Sequence, residues 1–140
     1  MDKVVIFGNS FFAESIYFYL QHDSDYQLIA FTVDESHITS ESFHDLPVVA
    51  YEKLEIYYPP TEYKLFIPLG YERVNKLRAE KYYDGKRRGY GFISYISSKA
   101  NHHNISVGEN CLILENSIIE PQVIIGDNCI LAGGNHIGHH

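Results

Sequence analysis

Residues 107–140 read VGENCL ILENSI IEPQVI IGDNCI LAGGNH IGHH, and this stretch decides the fold. Val107, Ile113, Ile119, Ile125, Leu131 and Ile137 recur at every sixth residue and each opens a hexad. A strict short period of this kind predicts a parallel β-helix, each hexad forming one side of a triangular coil. Alternate residues of a strand face opposite ways, so positions one and five of the hexad share the interior. Position one is always a large aliphatic. Position five reads Cys111, Ser117, Val123, Cys129 and Asn135, mostly small enough to lie beside those aliphatics. Position four holds Asn110, Asn116, Asn128 and Gly134, the residue types that pay least for a left-handed backbone at a corner, with Gln122 as the weak member. The apolar residues of position six, Leu112, Ile118, Ile124 and Ile130, are predicted to point outward onto a covered surface.

The remaining composition bounds the reading. At 140 residues and 45% hydrophobic, the chain holds one ordinary domain or a small domain and part of another. A net charge of −7 argues against a nucleic-acid binder driven by phosphate neutralisation. Lys86, Arg87 and Arg88 form the one basic cluster and read as a solvated turn. No run of about 18 apolar residues and no signal-peptide pattern occurs, so neither a membrane partner nor export is expected and a cytoplasmic location follows. Cys111 and Cys129 lie eighteen residues apart, three hexads, and are predicted to stack inside successive coils as free thiols.

Residues 1–98 follow another pattern. KVVIF (3–7), YQLIAFTV (26–33), the short segment 47–50, YKLFIP (63–68) and GFISYI (91–96) read as strands. Helices are predicted from Ser10 through SFFAESIYFYLQ and over 71–83. Strands alternating with helices imply an α/β fold with a small Rossmann-like parallel sheet, which takes ligands at the carboxyl ends of its strands. The candidate binding residues sit at those ends. Gly8, Asn9 and Ser10 follow the first strand, where glycine lets backbone approach a phosphate or ribose and a helix N-terminus attracts anions. Asp34 ends the second strand, placed for a ribose or base, and Gly70 follows the fourth. GNSFFA lacks the three glycines of the dinucleotide fingerprint, which excludes an NAD-type dehydrogenase. Gly8 also suits a plain strand-to-helix turn, and Asp34 a cap.

A Rossmann-like unit followed by hexads that carry GGNHIGHH resembles the sugar acyltransferases typified by sialic-acid O-acetyltransferase and by bacillosamine and perosamine N-acetyltransferases. The resemblance implies a left-handed β-helix and transfer of an acetyl group from acetyl-CoA to an amine or hydroxyl of a nucleotide-linked sugar. It places the reaction in bacterial surface-polysaccharide biosynthesis, in homotrimers with active sites between neighbouring β-helices. His139, two residues after Ile137, matches the histidine that acts as general base in these enzymes. A neutral imidazole can take the proton from the attacking group and return it to the departing thiolate. Relatives that place an acidic residue beside this histidine differ from the present chain, where the flanks are Gly138 and His140.

The final hexad stops in mid-coil. The β-helix, assigned to 99–140, is therefore expected to be incomplete at about two coils, and the chain a fragment of a longer enzyme with few of the acetyl-CoA contacts. Two other readings stay open. One is a nucleotide-sugar-binding and oligomerising module without catalysis. The other is a metal-dependent β-helix protein of the carbonic-anhydrase kind, because His136, His139 and His140 fall close together and imidazole suits zinc or iron. Adjacent His139 and His140 point to opposite faces if extended, which counts against one shared metal, and no metal is expected. His102 and His103 read as solvated linker residues.

Overall fold

The computed structural model, which describes residues 1–70, 73 and 75–140, builds a five-stranded sheet from the amino-terminal residues. Its elements are β1 (Lys3–Phe7), α1 (Phe11–Asp23), β2 (Gln27–Val33), β3 (Ser42–Phe43), β4 (Leu46–Ala50), α2 (Leu54–Tyr57), β5 (Lys64–Phe66) and α3 (Lys76–Arg87). The sheet order is β3-β4-β2-β1-β5, and all pairings are parallel except β3 with β4. β1 is an interior strand, and its Val4, Val5 and Ile6 are fully buried, as befits a parallel strand covered on both faces. The chain runs from β1 through β2 to β4 on one side and returns to β5 on the other. The β1/β5 boundary is therefore the topological switch point, where open α/β sheets form a crevice.

α1 follows the predicted helix. Ser10 caps it in extended conformation, its Oγ accepting from the Ala13 N–H, while Ala13, Ile16 and Leu20 face the core. The expected helix over 71–83 is described from Lys76; Tyr71, Glu72 and Val74 lie outside the described residues. β3 was not foreseen. It reaches β4 through His44 and Asp45, both at positive φ (50° and 62°), without the Asn-Gly or Asp-Gly signal that usually marks such a turn.

The strand predicted over 91–96 is divided between two units, Met1–Phe92 and Ile93–His140. Phe92 makes a single bridge to Leu65, whereas Tyr95 donates to the Cys111 carbonyl and Ser97 to that of Ile113. The division thus falls earlier than the expected 98/99, because the residues after Phe92 find their backbone partners in the coils. β6 (Tyr95–Ile96), β7 (Asn101–His102), β8 (Ser106–Val107), β9 (Leu112–Ile113), β10 (Ile118–Ile119), β11 (Ile124–Ile125), β12 (Ile130–Leu131) and β13 (His136–Ile137) form the coils. They make three parallel faces, β13-β10-β7, β11-β8 and β12-β9-β6. The coil count therefore exceeds two. His102, expected in a linker, is part of β7, though exposed.

Eighteen residues separate partners in most of the coil: Ile118 with His136, Ile124 with Ser106, Ile130 with Leu112. Inside lie Cys111, Ile113, Ser117, Ile119, Val123 and Ile125, the alternation the hexad requires, while Cys129, Leu131 and Ile137 are only half-buried. Both cysteines are free, and burial pushes the Cys111 thiol up. Position six is not one uniform surface. Leu112 is 1% exposed and Ile130 half-buried, whereas Ile118 and Ile124 are 47% and 82% exposed.

Position four is the regular feature. Asn104, Asn110, Asn116, Gln122, Asn128, Gly134 and His140 all have φ between 50° and 79°. Asn110 Nδ2 also donates to Asn128 Oδ1 at 2.8 Å, joining two corners eighteen residues apart. Gly108 is the tight point of this stack: a Cβ there would lie 2.2 Å from Asp127 Oδ1 and 2.8 Å from the Asp127 nitrogen. Asp127 Oδ1 accepts from the Glu109 N–H at 2.8 Å, so the carboxylate fills the space a side chain would need. Gly126, at the same hexad position one coil on, meets nothing within 4 Å.

In the sheet unit, α3 is anchored through the buried Tyr51. Arg88 lies 4.2 Å from the centre of the Tyr51 ring, donates to the Tyr51 carbonyl and pairs with Asp84 at 2.9 Å. Arg88 is therefore no solvated turn residue, unlike its exposed neighbours Lys86 and Arg87. Burial opposes ionisation of Asp84. The nearby Tyr51 hydroxyl, buried without a well-formed hydrogen bond, together with Arg88 and Arg87, outweighs it and holds the carboxyl below the usual carboxylate range.

Two predictions follow from this packing. Gly108→Ala is expected to lower stability by about 1–3 kcal/mol in chemical unfolding, and Gly126→Ala by less than about 0.5 kcal/mol; equal effects would contradict the stacking. Because the Asp84 pKa is depressed on folding, its stabilisation is present above the ordinary carboxylate pKa and is lost as pH falls through the lowered value. Asp84→Asn should thus melt below wild type at pH 7, with the gap closing in acid.

A candidate binding cleft and a histidine-bearing coil

Three strand ends supply the cleft. β1 ends at Phe7, and Gly8 follows at φ 132°, a conformation that residues with a Cβ rarely adopt; a Cβ there would stand 3.0 Å from that of Ala13. Its N–H donates to the Thr32 carbonyl at 2.9 Å, extending the β1–β2 ladder by one residue, so this group is occupied by the fold. What Gly8 provides is the turn and an unobstructed surface. Asn9 Nδ2 donates to the His37 carbonyl at 3.0 Å and ties the loop after β1 to the loop after β2.

Asp34 stands at the end of β2. Its side chain makes no capping bond to the turn that follows; only its carbonyl accepts, from the His37 N–H at 2.8 Å. The carboxylate instead pairs with the Lys81 ammonium, with side chains 29% and 19% exposed. Lys81 in turn lies 5.3 Å from the Phe7 ring centre and 4.8 Å from that of Tyr51, so aromatic faces hold the cation. Gly70 lies beyond β5, with nothing within 4 Å of where a Cβ would stand. The segment before it is fixed by the buried Arg78, whose guanidinium donates to the Leu69 carbonyl at 3.0 Å.

Gly8, Asn9, Ser10, Asp34 and Gly70 thus border one cleft of about 260 Å³, together with Phe7, His37, Leu77 and Lys81. Lys81 and Arg78 were missed in the sequence. Leu77 and Lys81 are four apart on α3 and share a face, a pattern that becomes informative only once α3 is placed against the strand ends. A larger hollow of about 560 Å³ lies along the outer side of α1, bordered by Glu14, Tyr17, Phe18 and His44. Apart from His44, which follows β3, its lining among the described residues comes from α1, and Glu14 and His44 already satisfy each other at 2.9 Å.

In the coil unit, His139 is exposed at the corner after β13, with Nδ1 3.0 Å from His140 Nδ1 and the two rings perpendicular. The expectation that these side chains diverge is corrected by the corner: His140 holds the left-handed position-four conformation, so the pair is not extended. One Nδ1 must donate and the other accept. With His139 as donor, its Nε2 keeps a free lone pair, the form a general base needs. His136 is paired instead with Glu120, Nε2 to Oε2 at 2.7 Å. Among the described residues no three His, Cys, Asp or Glu side chains come together as a metal site.

Residues 104–139 match the family model for the bacterial transferase hexapeptide (six repeats). No curated protein matches the sequence. Among solved structures, a histidine variant of perosamine N-acetyltransferase from Caulobacter crescentus, in complex with CoA and GDP-perosamine, is similar. Its TM-score is 0.82 at 20% identity, over 98% of this chain and 63% of that one. The acetyltransferase domain of PglB from Neisseria gonorrhoeae FA1090, also solved with acetyl coenzyme A, gives 0.77 at 14% identity, over 99% and 66%. WeeI from Acinetobacter baumannii AYE gives 0.75 at 16% identity, over 100% and 65%. The likeness at these identities is one of fold, and the chain spans 63–66% of the length of those structures. The protein therefore carries a Rossmann-like α/β unit followed by a hexapeptide-repeat β-helix, the two-part fold that these acetyltransferase structures share.

Proposed function

We propose that the protein serves acetyl transfer from acetyl-CoA to an amine or hydroxyl of a nucleotide-linked sugar, within cytoplasmic synthesis of bacterial surface polysaccharide, as a homotrimer. One observation carries this reading: the convergence of Gly8, Asn9, Ser10, Asp34 and Gly70 on a single strand-end cleft, in a chain whose other unit is a hexapeptide coil bearing an exposed histidine. The cleft has the position at which open α/β sheets take nucleotides. Its neighbours in fold are crystallised with CoA, acetyl coenzyme A and, in one case, GDP-perosamine, which supports the same pair of substrates here.

The roles divide as follows. The sheet unit holds the nucleotide, and the coil unit supplies the catalytic group. His139 Nε2 removes the proton from the sugar amine or hydroxyl as that atom attacks the thioester carbonyl carbon. The tetrahedral adduct collapses with cleavage of the carbon–sulfur bond, and the imidazolium returns its proton to the CoA thiolate. In this cycle His139 donates its Nδ1–H to His140 Nδ1, and His140 then steadies the charge that develops. Of the two arrangements compatible with their 3.0 Å contact, this is the one that leaves Nε2 unprotonated. An acidic neighbour would stabilise that charge more strongly; a second imidazole fixes the tautomer at less electrostatic gain.

His139→Ala is expected to cut turnover, followed as release of the CoA thiol, by about 10²–10⁴-fold; unchanged turnover would remove His139 from the mechanism. A UDP-, GDP- or dTDP-linked sugar should raise the melting temperature, because a ligand that binds only the folded state stabilises it. If no nucleotide-linked sugar does so at millimolar concentration, the acceptor assignment fails.

A further inference from the structure

We infer that Lys81 is the cation that receives the phosphate groups of the nucleotide, and that its ion pair with Asp34 opens when they bind. This rests on the nucleotide-linked acceptor proposed above and adds to it a residue and an exchange step.

Lys81 and Asp34 are the two oppositely charged side chains among the described residues that border the cleft. Lysines usually extend into water. This one is turned inward, its ammonium over the Phe7 and Tyr51 rings, in a slot that costs desolvation unless an anion faces it. Asp34 is that anion in this structure. The pair keeps the cleft neutral and holds the cation in place before a ligand arrives.

The surroundings identify the incoming group. Gly8 and Gly70 leave two sides of the cleft free of side chains, and Ser10 opens α1, whose leading N–H groups have no intrahelical partner. A diphosphate carries more charge than the carboxylate it displaces, so it competes for Lys81 with advantage. Asp34, once released, remains at the end of β2 as an acceptor for ribose hydroxyls, where acidic residues of open α/β sheets serve that purpose. Lys81 and Asp34 thus divide the ligand between them, one taking phosphate and the other sugar hydroxyl.

Calorimetric titration of the 140-residue chain with inorganic pyrophosphate, with UDP, GDP and dTDP, and with the matching nucleosides separates these roles. Lys81→Met retains the stem over the rings and removes the charge. It should weaken pyrophosphate and the diphosphates by about tenfold or more, leave the nucleosides unchanged, and be largely rescued in Lys81→Arg. Asp34→Asn frees Lys81, so it should tighten pyrophosphate while weakening the nucleosides. Wild-type affinity for pyrophosphate and the diphosphates in Lys81→Met would overturn the assignment, and weakening of both ligand classes in Asp34→Asn would overturn the exchange. Should Lys81→Met fail to fold, Asp34→Asn decides alone, since pyrophosphate tightens only if Lys81 receives it. If the wild-type chain binds none of the diphosphates, the acceptor reading falls and this inference falls with it.

Discussion

The coil depends on one backbone constraint, a left-handed corner at every sixth residue. From Asn110 to His140, the N–H of each such residue donates to a carbonyl of an earlier coil: Asn110 to Ile93, Asn116 to Lys99, Gln122 to Asn104, Asn128 to Glu109, Gly134 to Glu115 and His140 to Pro121. An extended residue at the same place would carry the strand onward instead of turning it, and that donor would lose its partner. The conformation costs about 1–2 kcal/mol per residue for an ordinary side chain, which is why Asn and Gly fill most of the row. Gln122 and His140 pay the larger strain and are held by their neighbours. His140 is the informative exception, because the same strained corner brings its ring against His139. A position set by folding thereby holds the Nδ1 atoms of the two rings 3.0 Å apart.

The sheet unit obeys a different rule. Its cleft is made by residues far apart in sequence, brought together because parallel strands end on one side of the sheet. Gly8, Asp34 and Gly70 share no local pattern; each simply follows a strand. The ion pair of Lys81 with Asp34 then fixes α3 over those ends from one side, while Arg88, Asp84 and Tyr51 fix it from another. The same helix therefore carries both the contacts that hold it to the sheet and the lysine that borders the cleft.

Legibility in the sequence divides along the same line. Local periodicity exposes whatever it generates: the hexad frame, the inward Cys111 and Ser117, the left-handed corners, and the strand-end glycines that follow apolar runs. Features that depend on distant partners stay hidden. Tyr95 and Ile96 look like one more sheet strand because an apolar run does not say which strand it will pair with, and only the Cys111 and Ile113 carbonyls decide it. Leu112 and Ile124 occupy the same hexad position, yet one is buried and the other open, since exposure depends on what covers a face and not on the period. β3 is missed because His44 and Asp45 adopt positive φ without the residues that usually advertise it. Lys81 is missed because a lysine in a helix carries no mark of the aromatic faces it will meet.

The two units also differ in how much function a single residue can carry. In the coil, His139 is one exposed side chain whose ring meets that of its immediate neighbour His140, so the role proposed for it rests on local geometry. In the cleft, no residue suffices. Asn9 is spent on the His37 carbonyl, the Gly8 N–H on Thr32, and Asp34 on Lys81, so these three groups already have partners within the protein. Such a site favours ligands that offer better partners than the protein's own. A neutral sugar offers hydroxyls in exchange for water and gains little. In the exchange inferred for Lys81, a diphosphate offers the lysine a stronger anion and returns Asp34 to hydrogen-bonding duty, an arrangement that would favour the charged nucleotide over the sugar it bears.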